Sequence, residues 1–422
     1  MTASAGTDDV LITGVGCTPF GRHVDRTAAE LAGSAVTDAL GDAGVARHEI
    51  GAVFYANVSQ KALEGQHMIP GQVALRPLGL DRAPVINVEN ACAGGATALW
   101  LAIAHVRAGM SDTALAVGVD KLVCADAARG LAVFDGALDV HRREETLAGL
   151  RALAPEDTPS GTEAAPGAGE RSVFMDIYAC LARAHMRRFG TTREQLAAVA
   201  AKNHAHSVHN PRAQFRKSFT VDQVLAAREV ARPLTVPMCS PVSDGAAAVV
   251  VTRAAAARAR TSGNARAVRV LASALVSGSE RAADLVEQHI GRRAALAAYE
   301  QAGLGPRDVD VAEVHDATAF GEIQQVENLG FCAIGAGGPW SSSGAGALGG
   351  HLPINPSGGL ESRGHPVSAT GLAQIFELVT QLRGEAGPRQ VPRARIAVAE
   401  NGGGLYGIEE AVAAVTILGG TR

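Results

Sequence analysis

One cysteine in this 422-residue chain stands in a setting suited to a nucleophile. Cys92 lies in NVENACAGGATALW, where a short apolar stretch leads into small residues and then an alanine-rich run. This pattern predicts a strand, a tight turn and a helix, and the positive field of the helix N-terminus would favour a thiolate. Small neighbours would let backbone N–H groups approach a thioester oxygen. A buried structural cysteine is the alternative interpretation.

Two histidines lie where a side chain could exchange protons with such a thiol. His365 follows a loop rich in glycine and serine, NPSGGLESRGHP, and an imidazole there would have a pKa suited to proton transfer near neutrality. His315, in AEVHDATAFGEI, is predicted at the carboxyl end of a strand, where ligands collect in α/β sheets. The alternatives are a surface loop histidine for His365, and for His315 a histidine hydrogen-bonded to Asp316 or to backbone.

Two further motifs carry weaker signals. The glycine-rich stretch AENGGGLYG, residues 399–407, lacks the spacing of a phosphate-binding loop and favours close approach of backbone to a ligand or to the thiol. HAHSVHNP holds three histidines but no cysteine or carboxylate at metal-ligand spacing. We therefore predict no metal site and interpret this stretch as a helix end with exposed polar residues.

The segments that must position these residues alternate between β-branched and alanine-rich stretches. Such alternation predicts parallel strands linked by helices in an α/β layered fold. Both halves contain a helix ending in Ala-Gly, a short loop and a strand, which we interpret as an internal duplication. The predicted N-terminal half comprises residues 1–121 and 232–262, and the C-terminal half residues 263–422. Residues 122–231 are predicted to be an inserted loop domain over the N-terminal half, with an exposed loop at residues 151–172.

Composition narrows the class of protein. Hydrophobic residues make up 47% and charged residues 19% of the chain, as in ordinary soluble globular proteins. A formal net charge of −4 argues against a nucleic-acid partner, since no excess of basic residues exists to replace phosphate counterions. The six cysteines form no pair at close spacing, and no signal peptide or membrane span is evident. A cytoplasmic protein is therefore predicted.

Taken together, the motifs resemble those of thiolases, and most closely the sterol-carrier-protein type. They occur in family order over about residues 10–418: NVENACAGGATALW, HMRRFGTTREQLAAVAAKNH, NPRAQF, MCSPVSDGAAAVV, EVHDATAFGEI, NPSGGLESRGHPVSATG and NGGG. The resemblance implies a five-layered αβαβα fold built from two similar halves. It also implies acyl-CoA substrates, coenzyme A as substrate or product rather than a permanently bound cofactor, and a homodimer or homotetramer. A small accessory protein subunit is a further candidate partner.

The resemblance also assigns roles to residues at matching positions. It implies that Cys92 becomes acylated and that His365 is the base that activates it. His315 would help to bind the thioester oxygen of the second substrate. The backbone N–H groups of Cys92 and Gly402 would form the other oxyanion hole, and Ser240 matches a position near the pantetheine arm of CoA.

The chain departs from the family at the second acid/base. Most thiolases have a cysteine in CxGGG, where this sequence has ENGGG and Glu400. The sterol-carrier type has a cysteine directly after His-Asp, where this sequence has Ala317. Glu400, Thr318 and Tyr406 are nearby candidates, and Glu400 would serve if burial raised its pKa toward neutrality. An ion-paired or capping carboxylate is the alternative for Glu400.

Three functions follow from these residues. The leading one is a thiolase-like acyltransferase of lipid metabolism, which forms or cleaves a carbon–carbon bond by Claisen chemistry through an acyl-Cys92 intermediate. The second is a decarboxylative condensing enzyme, which needs no base to form its carbanion. Simple acyl transfer and retro-aldol cleavage of a β-hydroxyacyl-CoA are related to that second function. The third is a non-catalytic, thiolase-like partner subunit that binds acyl-CoA.

Overall fold

The computed structural model describes residues 9–154, 171–259 and 266–420. Most of the predicted exposed loop, residues 155–170, lies outside the described residues. No helix within these three ranges is long and apolar enough to cross a membrane.

Nine strands form one mixed sheet in the order β3-β2-β4-β7-β1-β8-β11-β10-β9, and β5 and β6 form a separate hairpin. The strands are β1 (Val10–Cys17), β2 (Ala52–Ala56), β3 (Val85–Val88), β4 (Thr113–Lys121), β5 (Glu229–Ala231), β6 (Leu234–Thr235), β7 (Asp244–Arg253), β8 (Val268–Ser277), β9 (Val311–Glu313), β10 (Ile396–Gly403) and β11 (Val412–Gly419).

The sheet has two parts, β3-β2-β4-β7-β1 and β8-β11-β10-β9. Helices cover the outer face of each part and fill the space between the two inner faces. They are α1 (Ala28–Ala43), α2 (Pro70–Leu75), α3 (Gly94–Arg107), α4 (Ala127–Ala132), α5 (Arg143–Leu153), α6 (Val173–Phe189), α7 (Arg193–Ser207), α8 (Val221–Ala226), α9 (Ala254–Arg258), α10 (Ile290–Ala302), α11 (Ala319–Asn328), α12 (Gly337–Ser342), α13 (Gly359–Arg363) and α14 (Thr370–Arg383).

The helix boundaries follow from local sequence. Helix α1, for example, begins at a capping box in which the Thr27 side chain accepts from the Glu30 N–H and the Glu30 carboxylate accepts from the Thr27 N–H. It ends at Gly44, whose φ of 60° is the left-handed conformation that glycine adopts without strain. Between these ends, small and branched apolar residues recur at helical spacing and are buried against the sheet.

Apolar clusters define five layers. Helices α1 and α2 pack on one face of strands β3-β2-β4-β7-β1. Helices α3 and α14 fill the central layer, between these strands and β8-β11-β10-β9. Helices α10 and α11 cover the outer face of the second set. The predicted αβαβα fold is therefore confirmed.

The two halves repeat one strand order. The order β2-β4-β7-β1 of the first half returns as β9-β10-β11-β8 in the second. Next to β9, Ile354 forms a single parallel bridge with Ala312, at the position that β3 has in the first half. This correspondence is what an internal duplication produces.

The expectation of parallel pairing holds for only part of the sheet. Strand β2 is parallel to β3 and β4, and β9 is parallel to β10. The other pairs are antiparallel. Strands β10 and β11 are joined by the short loop of residues 404–411 rather than by a helix, so the chain returns in the opposite direction.

The segment predicted as an inserted loop domain packs differently from the expectation. Its helix α7 lies against α11, α12 and α13, which belong to the second half of the chain. Leu196 and Val199 of α7 share an apolar cluster with Phe320, Ile323 and Leu360. The expectation that this segment would cover the N-terminal half is therefore wrong for α7, because its apolar face meets the C-terminal half.

Candidate active site

Cys92 lies in a short 3₁₀ turn, Ala91–Ala93, between β3 and α3. This is the strand, turn and helix predicted from the sequence. Ala91 has a φ of 46°, in the left-handed region that a residue with a side chain rarely adopts. Its N–H donates to the Glu89 carboxylate at 2.8 Å, which helps to fix the turn. The turn presents the half-buried Cys92 to a cavity.

The electrostatic setting of Cys92 differs from the expectation of a favoured thiolate. Burial raises the pKa of the Cys92 thiol to about 12, and the nearby charge of Asp120 acts in the same direction. Hydrogen bonds from the backbone N–H groups of Cys92 and Gly404 lower the pKa but only partly offset the burial. The resting group is therefore a neutral thiol, and it needs a base to react.

His315 and His365 line this cavity together with Cys92. The Cys92 sulfur and one ring nitrogen of each histidine all lie within 4.8 Å of one another. The two imidazole rings are 5.3 Å apart, edge to face. The structure thus brings together three candidate catalytic residues that come from three separate sequence motifs.

Hydrogen bonds select the tautomer of His365. Its Nδ1 atom lies 2.6 Å from the Thr370 hydroxyl oxygen, and that hydroxyl donates its own hydrogen to the Pro366 carbonyl oxygen at 3.0 Å. Because the hydroxyl can then only accept, Nδ1 carries the proton and Nε2 has a free lone pair. His365 is therefore held as a neutral base.

Both histidines are neutral near pH 7. Burial holds the pKa of His365 well below its usual value, and the positive charge of Arg363 acts in the same direction, as does that of His315 once it is protonated. The pKa near neutrality expected for His365 is therefore wrong. Burial alone lowers the pKa of His315 to about 4. Neither ring nitrogen of His315 has a hydrogen-bond partner, although the side chain is only 3% exposed. Buried polar atoms are usually paired, so His315 is available to a ligand oxygen.

Asp120 holds the loop that carries His365. One oxygen of its buried carboxylate accepts from the Val58 and Ser59 N–H groups, and the other accepts from the Ser368 N–H at 2.6 Å. The Ser368 carbonyl group packs directly on Gly95 and Gly118, where a side chain would collide with it. Sequence reasoning missed Asp120; the one available signal was an acidic residue at the end of an apolar strand.

Glu400 lies behind His315. It is fully buried, and one of its oxygens accepts from the His315 N–H at 2.9 Å while the other has no partner. Burial raises its pKa well above the usual value, as the sequence analysis required, and the charge of Glu410 adds to this shift. Glu400 is absent from the cavity lining, whereas Glu410 is part of it. A catalytic role for Glu400 stays a prediction.

The glycine-rich turn after β10 approaches the Cys92 thiol through Gly404, whereas Gly402 was expected. Gly402 pairs with Ala413 inside the sheet, whereas Gly403 and Gly404 line the cavity. Besides the N–H of Cys92 itself, the backbone N–H that hydrogen-bonds the Cys92 sulfur is that of Gly404. The predicted oxyanion role of Gly402 stays a prediction, and the structure adds Gly404 as a candidate.

The remaining candidates are dispersed. Ser240 lines the cavity, and its N–H donates to the Ala317 carbonyl oxygen at 3.0 Å. The Thr318 hydroxyl is buried away from the cavity lining. Tyr406 is 44% exposed and hydrogen-bonds Glu280.

The cavity has a volume of about 560 Å³. Part of its wall is aromatic or apolar, and exposed basic side chains stand along another part. The apolar part includes Phe134, Phe174, Met175, Tyr178, Phe215 and Phe219. The basic part includes Arg216, Lys217 and Arg228. Two acidic side chains, Glu361 and Glu410, also line the cavity. Phe215 and Glu361 stand in the quoted motifs NPRAQF and NPSGGLESRGHP, but no role was predicted for them. These residues come together only in the folded chain.

Two of the three histidines in the histidine-rich stretch are buried. His204 and His206 are 3% and 4% exposed, so their interpretation as exposed polar residues is wrong. They hydrogen-bond the carbonyl oxygens of Pro237 and Asn355, which satisfies them inside the protein. Among the residues that the structure describes, the set with donor atoms close enough to hold a metal is the cluster around Cys92.

Comparison with known proteins relates this chain to thiolases. Residues 10–255 match the family model for the thiolase N-terminal domain, and residues 275–419 match that for thiolase C-terminal domain-like proteins. An acetyl-CoA acetyltransferase of Methanothermobacter thermautotrophicus is 39% identical, over 94% of this chain and 97% of its own. Sterol carrier protein 2 of Bos taurus is 36% identical, over 93% of this chain and 69% of its own. The solved structure of an Ltp2-ChsH2(DUF35) aldolase superposes with a TM-score of 0.75, at 21% identity and 98% coverage of both chains.

Proposed function

This chain belongs to the thiolase family, and from that premise we propose that it is an acyl-CoA C-acyltransferase. Cys92 carries the acyl group while a carbon–carbon bond α to a CoA thioester is formed or cleaved. The observation that carries the proposal is the convergence of the Cys92 sulfur and the imidazoles of His315 and His365 within 4.8 Å. This set contains a nucleophile, a base and a group for an oxyanion.

Acylation uses the neutral pair of Cys92 and His365. Because the thiol has a high pKa, its proton passes to His365 Nε2 as the sulfur attacks the thioester carbonyl carbon. The backbone N–H groups of Cys92 and Gly404 lie beside the sulfur and can stabilise the tetrahedral oxyanion. The proton then moves from His365 to the departing CoA thiolate.

The second half-reaction uses His315. A neutral imidazole with both ring nitrogens unpaired can donate a hydrogen bond to the thioester oxygen of the second acyl-CoA. That bond strengthens as the thioester loses its α-proton and becomes an enolate. The hydrogen bond between the His315 N–H and Glu400 supports the backbone at this position.

Coenzyme A is the common part of the proposed substrates and is released as a product. Exposed Arg216, Lys217 and Arg228 beside the cavity supply positive charge for its phosphates. Ser240 is available to the pantetheine arm. The aromatic wall favours an apolar acyl group over a polar one.

We also propose a homodimer that forms along strand β3. This strand is the edge of the sheet, and Ile86 on it is 39% exposed. Next to it, Met68, Ile69 and Val73 are exposed at or near α2. An edge strand beside exposed apolar side chains is suited to pairing with a second copy. We expect light scattering to give a dimer mass for the wild type and a monomer mass for Ile86→Lys.

The test of the main proposal is trapping of the acyl enzyme. Purified protein is mixed with acetyl-, hexanoyl- and phenylacetyl-CoA, and its intact mass is measured. We expect an acyl adduct on the wild type and none on Cys92→Ala. Cys239→Ala is the matched control, because Cys239 also lines the cavity but lies outside the cluster with the histidines. A wild type with no adduct from any of these thioesters contradicts the proposal.

A second candidate is retro-aldol cleavage of a β-hydroxyacyl-CoA. It is favoured by Ala317 and Glu400, which stand where thiolases have their second cysteine. The similar fold named above belongs to an aldolase in complex with a DUF35 protein, so an accessory subunit is proposed with this reaction. Cleavage of a β-hydroxyacyl-CoA to an aldehyde or ketone and a shorter acyl-CoA, unchanged in Cys92→Ala, would favour this candidate.

A further inference from the structure

The Glu410 side chain lines the cavity, and one of its two carboxyl oxygens has no hydrogen-bond partner. The residue is 9% exposed and lines the same cavity as Cys92 and Gly404. Its Oε1 atom accepts from the Gln325 side chain at 3.0 Å. Its Oε2 atom is buried and makes no hydrogen bond, and it lies 3.5 Å from the Nε2 atom of His289. Such an oxygen retains the lone pair that a proton acceptor requires.

The glycine turn makes room for this side chain. A Cβ atom on Gly402 would lie 2.8 Å from Cγ of Glu410, so a larger residue there would push Glu410 away. Gly402 and Glu400 are two residues apart on β10, and their Cβ directions therefore point to the same face of the sheet. Glu410 thus occupies the space beside position 400, where most thiolases have a catalytic cysteine.

From this placement we propose that Glu410 is the catalytic acid/base that removes and returns the α-proton of the second acyl-CoA. The proposal rests on the proposed C-acyltransferase function and deepens it. Glu400 is then a positioning residue, since it lies behind His315 and outside the cavity lining.

The two carboxyl groups are neighbours with different access to the cavity. Burial raises the pKa of Glu400 well above its usual value, and the charge of Glu410 adds to this shift. Glu400 lies outside the cavity lining, whereas Glu410 is part of it. Glu410 is therefore the member of the pair that is placed to meet a substrate.

Other cavity groups fit the role less well. Glu361 also has one oxygen, Oε2, without a hydrogen-bond partner, but it lies near Cys239 and its Oε1 atom accepts from Asn203. The Asn203 side chain also donates to Asp316. Asn203 thus links the carboxyl groups of Glu361 and Asp316 in one buried cluster. Glu410, by contrast, lines a second, smaller cavity with Tyr178 and Gly404, and a Cβ atom on Gly404 would lie 3.8 Å from Cβ of Ala91, the neighbour of Cys92. That places Glu410 on the nucleophile's side of the cavity.

The cysteine in the cavity also fits less well. Cys239 packs beside Ala317 and Phe320 in an apolar cluster. Its sulfur lies outside the close group formed by Cys92 and the two histidines.

The proposed step balances. The Glu410 carboxylate takes the α-proton, and the electrons of the broken C–H bond form an enolate whose oxygen is bound by His315. The enolate carbon attacks the acyl carbonyl carbon on Cys92, a C–C bond forms and the C–S bond breaks. Cys92 leaves as a thiolate, and the proton from Glu410 returns to it through His365 or solvent. The net reaction joins two acyl-CoA molecules and releases one CoA.

The experiment separates the two half-reactions. Acylation of Cys92 is measured by intact mass with hexanoyl-CoA, and α-proton exchange by deuterium uptake into hexanoyl-CoA in D₂O. We expect Glu410→Gln to acylate Cys92 within threefold of the wild-type rate and to lose at least about 100-fold in exchange. Glu361→Gln and Cys239→Ala are the matched controls, and we expect exchange within threefold of wild type.

A second variant guards against misfolding. Glu410→Asp keeps a carboxylate but withdraws it by one methylene, and we expect roughly a tenfold loss of exchange with unchanged acylation. Exchange at the wild-type rate in Glu410→Gln would overturn the proposal, as would its loss in Glu361→Gln or Cys239→Ala alone. If wild-type Cys92 is not acylated at all, the proposed function fails instead, and the two failures are therefore distinct.

Discussion

A methyl group at Gly118 should displace the loop that carries His365. Gly118 lies in the middle of β4, paired with Ala56 on one side and Ala247 on the other, so the strand itself is fixed. An added Cβ atom would lie 2.8 Å from the Ser368 carbonyl carbon, and nearer still to its oxygen. Carbon atoms in contact prefer about 3.5 Å or more. The Ser368 backbone must therefore retreat by roughly 0.7 Å at least.

Two effects of Gly118→Ala follow from this displacement. Overpacking of this kind lowers the free energy of unfolding by about 1–3 kcal/mol. The retreat also strains the 2.6 Å hydrogen bond from the Ser368 N–H to Asp120 and moves His365 relative to Cys92. Since a misplacement of about 1 Å costs roughly 100-fold in rate, we expect acylation of Cys92 to fall by about that factor.

The assay combines urea unfolding with the rate of Cys92 acylation by hexanoyl-CoA. Gly41→Ala is the matched control, because a Cβ atom there meets nothing within 4 Å and the residue lies in the exposed part of α1. This control should be stabilised by about 0.5–1 kcal/mol and acylate normally. Wild-type acylation by a folded Gly118→Ala protein would show that the loop is not seated on Gly118 as described.

Three further outcomes are expected. Thr370→Val removes the hydrogen-bond acceptor for His365 Nδ1. Acylation of Cys92 should then slow by about tenfold at an unchanged KM for acyl-CoA. A changed KM without a slower acylation would argue against a role of Thr370 in orienting His365. Lys217→Glu should raise the KM for acyl-CoA several-fold at low salt but not that for an N-acetylcysteamine thioester, which lacks the phosphates; equal effects on both would exclude a phosphate contact. The pKa of His315 is about 4 when folded against 6.5 unfolded, so the unfolded chain takes up the proton first as the pH falls. By about pH 5 this costs roughly 2 kcal/mol of stability, and urea unfolding should show an acid loss smaller by that amount in His315→Gln.

Local sequence was sufficient for the parts of the site that are local. The turn at Cys92 follows from small residues between an apolar strand and an alanine-rich helix, and the structure has that turn. The layered architecture also followed, because alternating strands and helices leave few other ways to bury both faces of a sheet. The direction of individual strands could not be predicted in this way. It depends on whether a helix, a short loop or an insertion connects two neighbouring strands.

Contacts between distant segments could not be predicted in this way. Asp120 and Ser368 are 248 positions apart, yet their hydrogen bond holds the His365 loop. Glu410 follows the glycine turn in sequence, but its approach to the cavity depends on how β10 and β11 pair. The prediction that Cys92 favours the thiolate form was wrong for the same reason. The helix terminus is a local feature that the sequence shows, whereas the burial that raises the pKa of Cys92 comes from the whole fold.

Asp120 connects the geometry of the site with its resting charge. It holds the His365 loop through Ser368, and the same carboxylate raises the pKa of Cys92. Burial meanwhile lowers the pKa of His365, so proton transfer from Cys92 to His365 is unfavourable until the sulfur attacks a thioester. A neutral thiol and a neutral imidazole are cheaper to bury than a thiolate and an imidazolium. Because the thiolate is also the form that oxidants attack, this arrangement protects Cys92 until a thioester carbonyl accepts the electrons of its sulfur.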